Sequence, residues 1–401
     1  MPVQSPTVPK SVINRVLPIC KFFAITPWNT YKDEKDDDCI KSRFYQVYAV
    51  LVMLACLVSL VSGVYNSTLD YPTYSLHHIV VIIDHIMFVS ITTANILGTF
   101  MTVFYKGDVI KEYAERIISI NKFIPIRGCP KSYWRMVIIF CIIVCFTIFL
   151  DTAVWIYIIG WKFYKYYIFR EFQYFHYSVM VFLAYYFACM IRCKFASLNV
   201  LLTEDACQLS SQEKYTHDFL PVYDMERLLM VNNDEKTTQQ NLKDVFKWYT
   251  EIADILEIYN SIFGQIIFIA SMCTIALLLN YIVYFLISPF TIAILILVMF
   301  WILIALVQII TLAYVCDSVA KEAKKTPEIC YILLNKIPTI PKTDKDKILR
   351  EELQLIAQQA ICRNPCISAS GFFVVNNSIL GFIMASVTSY IIVTIQFVGQ
   401  H

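Results

Sequence analysis

The sequence is short of charge: Asp, Glu, Lys and Arg make up 16% of its 401 residues, while 58% are apolar. The charges are also bunched between long uncharged stretches, which excludes the evenly mixed surface of a soluble globular domain. Glycine is scarce, with 9 in the whole chain, and no glycine-rich phosphate loop occurs, which argues against a pump or a kinase. The amino end, MPVQSPTVPKSVINRV, has no apolar core followed by a small-residue cleavage site, so targeting is expected to fall to apolar segments further along. The formal charge of +2 says little, because in such a chain the placement of charge matters more than its sum.

What the chain does have is long apolar runs. Seven are long enough to cross a hydrocarbon core that needs about 20 residues per helix: Phe44 to Tyr65, His78 to Phe104, Trp134 to Trp161, Phe172 to Ile191, Ile262 to Leu286, Phe290 to Cys316, and Val374 to Val398. Ser288-Pro289 separates the fifth from the sixth, since proline removes a donor and clashes with the preceding turn. The expected fold is all-α: a polytopic membrane protein with seven transmembrane helices.

Orientation follows from Lys and Arg, which are retained on the cytoplasmic side. In chain order the segments outside the spans hold seven, none, six, three, seven, none, nine and none. That predicts a cytoplasmic amino terminus, an external carboxyl terminus and three large inner loops. The glycosylation acceptor Asn66-Ser67-Thr68 falls in the first outer loop, as it must to be used. Of 14 cysteines none falls in a predicted outer loop or the tail; Cys20, Cys39, Cys129, Cys207 and Cys330 fall on the reducing side, and no disulfide framework is implied. A G-protein-coupled receptor runs the other way. An Asp-Arg-Tyr triplet after span three and NPxxY in span seven are also missing; Asn364-Pro365-Cys366-Ile367-Ser368 comes nearest and precedes the span.

Four regions result: a cytoplasmic amino-terminal segment (1–43), spans one to six with their loops (44–316), a cytoplasmic anchor region (317–373), and the last span with its tail (374–401). In the anchor region, Leu349, Leu353, Ile356 and Ala360 give a helix between Asp344 and Arg363 one apolar face. A second such run, Val245, Ile252, Leu256 and Tyr259, precedes span five, with Lys243, Glu251, Asp254 and Glu257 interspersed. Packing together below the membrane is the expectation for both, because their mixed charges suit a bilayer surface less well than a purely basic face.

Ionisable residues inside spans are rare and usually functional. Span two opens HHIVVIIDHIMF, with Asp84, His85 and Phe88; span three carries Asp151, Trp155 and Tyr157. Tyr174 and Tyr177 begin span four, and Tyr281 and Tyr284 end span five, all at outer depth. Asp84 has no base in its own span, and Arg135 sits at the opposite end of span three from Asp151. Both acids therefore need His, hydroxyl or ligand partners, or a proton. One reading is a His85 to Asp151 bond that only joins helices. The other is a polar floor under aromatic walls, suited to a small molecule with an apolar face and a few hydroxyls or a basic nitrogen. No metal or other cofactor is expected: His77 and His78 diverge by about 100° on a helix, and no matching Cys or carboxylate spacing occurs.

The last span keeps polar groups that lipid disfavours. On a helix Ser386, Ser389, Tyr390, Val393, Thr394, Gln396 and Phe397 share one side, and Val387, Ile391, Ile392 and Ile395 cover the other. Such a stripe either bonds to neighbouring helices or lines a water path. Ser389 to Phe397, SYIIVTIQF, resembles the TYhhhhhQF signature (h, apolar) of insect gustatory receptors, with Ser for the first Thr and Thr394 at one apolar place. Ala369-Ser370-Gly371-Phe372-Phe373 followed by Asn376 is similar to that family's approach to its last helix.

The resemblance implies a tastant-gated, non-selective cation channel in the plasma membrane of sensory neurons, homotetrameric or heterotetrameric with related receptors, with no enzymatic activity and no nucleic acid partner. The last helix of each subunit would then surround one pore, with Ser386, Ser389, Tyr390, Val393, Gln396 and Phe397 lining it. Outer residues Asp84, His85, Phe88, Asp151, Trp155, Tyr157, Tyr174, Tyr177, Tyr281 and Tyr284 would form the tastant site, for bitter or other plant compounds or else for sugars. No acid lies between Val374 and Phe397, so selectivity among cations is expected to be weak. A transporter is the rival reading; it would show broken helices in two related halves, whereas Pro289 is the one clear interruption.

Overall fold

The structure, a computed structural model, describes residues 21–26, 37–70, 77–124, 132–164, 168–215, 225–287, 292–337 and 344–398. These form α1 (Asp37–Asp70), α2 (His77–Phe100), α3 (Gly107–Phe123), α4 (Ser132–Ile159), the single turn α5 (Trp161–Tyr164), α6 (Ile168–Tyr215), α7 (Met225–Ile287), α8 (Ile292–Lys336), α9 (Asp344–Arg363), a short antiparallel hairpin β1 (Ser368–Ala369) and β2 (Phe373–Val374), and α10 (Ser378–Val398). The all-helical expectation holds. Among the described residues six helices are long and apolar enough to cross a membrane, and α10 adds a shorter apolar stretch, Ser378–Val393.

Burial ranks these helices. In α6, 83% of the most apolar window is buried inside the chain, against 22% in α1 and in α4. So α6 runs through the middle of the bundle, while α1 and α4 turn bare Leu, Ile, Val and Phe outward, as lipid-facing helices do. A buried polar hub joins three of them: Thr92 Oγ1 donates to Gln173 Oε1 at 2.6 Å, Asn95 Nδ2 to the Gln173 carbonyl at 2.9 Å, and Gln173 Nε2 to the Cys56 carbonyl at 2.9 Å. Between α2 and α3, Met101–Tyr105 forms a π-helical turn, pinned by Lys106 Nζ, which donates to the carbonyl and hydroxyl of Ser261 on α7.

The helices outrun the predicted spans. Span four was expected at Phe172 to Ile191, yet α6 has 48 residues, and α7 and α8 have 63 and 45. At 1.5 Å per residue, each exceeds the roughly 30 Å of hydrocarbon by a wide margin. The stretches expected as loops continue as helix because they lack strong breakers. The exception is Pro327, buried inside α8, where Asn199 of α6 donates to the Glu322 carbonyl at 2.8 Å and accepts from Thr326 Oγ1 at 2.7 Å.

At this far end the two amphipathic runs meet. Val245, Ile252, Leu256 and Tyr259 are buried on α7, which continues unbroken into span five instead of forming a separate helix. Leu353, Ile356 and Ala360 are buried on α9, with Leu349 half-buried. Gln359 Nε2 donates to Thr250 Oγ1 at 3.0 Å, and Arg363 pairs with Asp254, a residue shared at 4.0 Å with Arg116 of α3. Asn364 then takes φ 38°, its N–H donating to the Ala360 carbonyl at 3.2 Å, and Pro365 stops the helix.

The last span begins later than predicted, because Val374 and Val375 belong to the hairpin and its exit. Ser370 and Gly371, at φ 54° and 80°, make the positive-φ turn that a tight hairpin requires. The hairpin lies on one face of α7, on three residues at helical spacing. Asn260 Nδ2 donates to the Cys366 carbonyl at 2.8 Å and its Oδ1 accepts from Ser368 N at 3.1 Å; Gly264 lies under the turn; and the Phe268 ring stacks on Phe372, centroids 4.8 Å apart. Asn376 then caps α10 through the Ser378 N–H at 3.0 Å. Cys193 is disulfide-bonded, against the expectation that no disulfide is implied; spacing along a chain does not encode which thiols approach in space.

Candidate functional site

At the opposite end of the bundle from α9, five helices converge on a cavity of about 40 Å³. Helical spacing points their residues inward: Asp151 and Trp155 from α4, Arg170, Glu171 and Tyr174 from α6, Asn280 and Tyr281 from α7, Ile294, Leu297, Val298 and Trp301 from α8, and Met87 from α2. Trp301 is the hub. Its indole N–H donates to Asp151 Oδ1 at 3.2 Å, the Tyr281 ring lies parallel to it at 6.3 Å, and the Tyr174 ring tilts against it at 5.0 Å. The carboxyls of Asp151 and Glu171 face each other, with the Arg170 guanidinium beside them and 3.7 Å from Glu171 Oε1. Tyr174 Oη and Asn280 Nδ2 both reach Met87 sulfur, at 3.0 and 3.1 Å.

Of the residues expected at the tastant site, the structure thus gathers Asp151, Trp155, Tyr174 and Tyr281 around one space. It does not bring in Phe88, which is buried against Gly63 of α1, or Tyr177, whose hydroxyl donates to the Ala270 carbonyl at 3.0 Å. Tyr157 is 91% exposed, and His85 is half-buried away from the cavity. The side chains of Asp84 and Tyr284 lie outside the described residues, as do those of Asn66 and Phe397. Asp151 bonds to Trp301 and not to His85, as one reading had it.

Sequence reasoning missed Arg170 and Glu171 because it started span four at Phe172, next to both. It missed Trp301 because an aliphatic run surrounds it, although no other tryptophan falls in that span.

The second candidate surface is on α10. Ile379, Ile383 and Val387 are buried against Leu278 of α7 and Ala305, Ile309 and Ala313 of α8. Ser389, Tyr390, Val393 and Gln396 are exposed, Ser386 is half-buried, and Ser389 Oγ turns back to the Ala385 carbonyl at 2.9 Å. The packing face is narrower than the sequence suggested: Ile392, expected on the apolar side, is exposed beside the polar residues.

Six helices long and apolar enough to cross a membrane, a small aromatic cavity at one end and an exposed polar stripe on the last helix mark a multi-pass membrane protein. The profile of the 7tm Chemosensory receptor family matches residues 13–400, and the chain belongs to that family, one of receptors and not of enzymes. Its fold is similar to that of the insect olfactory receptor OR5 from Machilis hrabei, with a TM-score of 0.63 over 96% of this chain and 97% of that one, at 14% identity. No curated protein matches the chain.

Proposed function

We propose that this chain is a gustatory receptor that acts as a tastant-gated, non-selective cation channel for bitter or other plant-derived small molecules. Tetramers of this chain, alone or with related receptors, open in the plasma membrane of sensory neurons, with α10 of each subunit around the pore and the α9 end in the cytoplasm. The observation that carries this reading is the exposure of Ser389, Tyr390 and Gln396 along an uncharged helix rich in apolar residues. Polar groups at membrane depth need water or another subunit, and an assembly around an aqueous column supplies both.

Coupling follows from one rigid element. Asn280 and Tyr281 of α7 wall the cavity, and 17 residues earlier the same helix holds the hairpin that leads into α10. That distance is about 25 Å of continuous helix. A ligand that fits the cavity better when α7 and α8 have shifted moves the equilibrium by its differential affinity, and Leu278, Ala305 and Ile309 pass the shift to α10.

Phe397 ends the signature and is assigned the resting seal, an apolar ring that dewets the pore. Phe397→Ser is expected to give a standing cation current without ligand, read by whole-cell recording; a resting current equal to that of the unchanged protein would refute the assignment.

A further inference from the structure

We infer that the cavity recognises an organic cation, a methylated or protonated amine seated between the acids Asp151 and Glu171 and the rings of Trp155, Tyr174, Tyr281 and Trp301. The inference rests on the receptor reading above and names the chemistry of its ligand.

Charge comes first. Asp151 and Glu171 hydrogen-bond to each other, which takes one proton between the two carboxyls, so beside Arg170 the cluster is neutral while that proton stays. All three side chains are removed from water: Asp151 and Glu171 are each 4% exposed, and the Arg170 side chain 15%. Losing that proton would leave a costly buried charge unless a cation takes its place. Glu171 shows where: it lines the cavity, and its buried Oε2 accepts from no N–H or hydroxyl donor among the described residues, while Oε1 is the oxygen near Arg170.

The walls agree independently. Tyr281 stacks parallel to Trp301 and Tyr174 tilts against it, and this aromatic cluster with Trp155 walls the cavity beside the acids. The negative face of an aromatic ring attracts a cation, most strongly when the site is desolvated. Size narrows the class further. About 40 Å³ is a few waters' worth of space, at about 10–15 Å³ for each. A compact ammonium head group fits that volume, and a sugar ring requires the walls to move.

The test uses the purified full chain in detergent micelles and reads tryptophan fluorescence, with tetramethylammonium, choline and 3,3-dimethylbutan-1-ol as probes. The last is the uncharged carbon counterpart of choline. Choline is expected to bind at least tenfold more tightly than the alcohol. Glu171→Gln should weaken choline at least tenfold without changing the alcohol, and Glu171→Asp should recover part of the loss. Asp151→Asn, read the same way, stands in if Glu171→Gln does not fold. Equal binding of choline and the alcohol, an unchanged affinity in Glu171→Gln, or no response to any probe by folded protein would overturn the inference. Currents from the same proteins keep the two proposals apart. Cation-selective binding without current sinks the channel and spares the ligand class; current evoked by uncharged compounds, unchanged in Glu171→Gln, does the reverse.

Discussion

Gly264→Ala is expected to abolish ligand-evoked current while leaving the chain in the membrane. A Cβ added at Gly264 would lie 2.9 Å from Ser370 N, 3.0 Å from Ser368 O and 3.3 Å from Ser370 Cα. All three are backbone atoms, so no side chain can swing aside to make room. The hairpin must lift, and lifting it stretches both Asn260 bonds and slides Phe372 along Phe268. Overpacking of this kind costs about 1–3 kcal/mol. Here the cost falls on the segment that joins α9 to α10, so gating should suffer before folding does. Surface labelling together with ligand-evoked current checks it; wild-type currents from Gly264→Ala would show that the hairpin transmits nothing.

Trp301→Ala is expected to lose both stability and response. Removing a buried tryptophan costs about 3–5 kcal/mol through lost burial and the cavity left behind. Asp151 also loses the indole N–H, and Tyr174 and Tyr281 lose the ring between them. Trp301→Phe separates these effects, because it restores most of the volume without the donor. Its thermal midpoint should fall less than that of Trp301→Ala, by the roughly 1.5–3 kcal/mol of a lost hydrogen bond to a charged group, while the ligand concentration for half-maximal current still rises. A Trp301→Ala channel with unchanged ligand sensitivity would remove this residue from the site.

Much of the fold was legible because apolar length is a strong signal. Six of the predicted spans fall on helices long and apolar enough to cross a membrane and the seventh on the shorter apolar stretch of α10, and Leu353, Ile356 and Ala360 on α9 and Val245, Ile252, Leu256 and Tyr259 on α7 are buried as their periodicity implied. Helix ends were less legible. Hydropathy marks where lipid begins, not where hydrogen bonding stops, so α6, α7 and α8 run on past the predicted spans. The site was read in part for a related reason. Asp151, Trp155, Tyr174 and Tyr281 stood out as polar or aromatic residues at one depth, but depth gives no rotation about the helix axis. Tyr157, two residues from Trp155, therefore turned out exposed, and Phe88 faces α1. Trp301 and Glu171 became visible only when α8 and α6 were brought beside α4. On α10 the signature picked out residues that are exposed, yet the packing face through Ile379, Ile383 and Val387 lies partly upstream of it.

Single cysteines along α10 of the assembled channel test most directly whether its polar stripe borders water. Ser389→Cys and Gln396→Cys are predicted to react with a charged, membrane-impermeant thiol reagent while ligand is present, and the modification should block current. Ile383→Cys and Val387→Cys, on the face buried against α7 and α8, should stay unmodified. Protection of Ser389→Cys and Gln396→Cys under open-channel conditions, with current unaffected, would contradict the account.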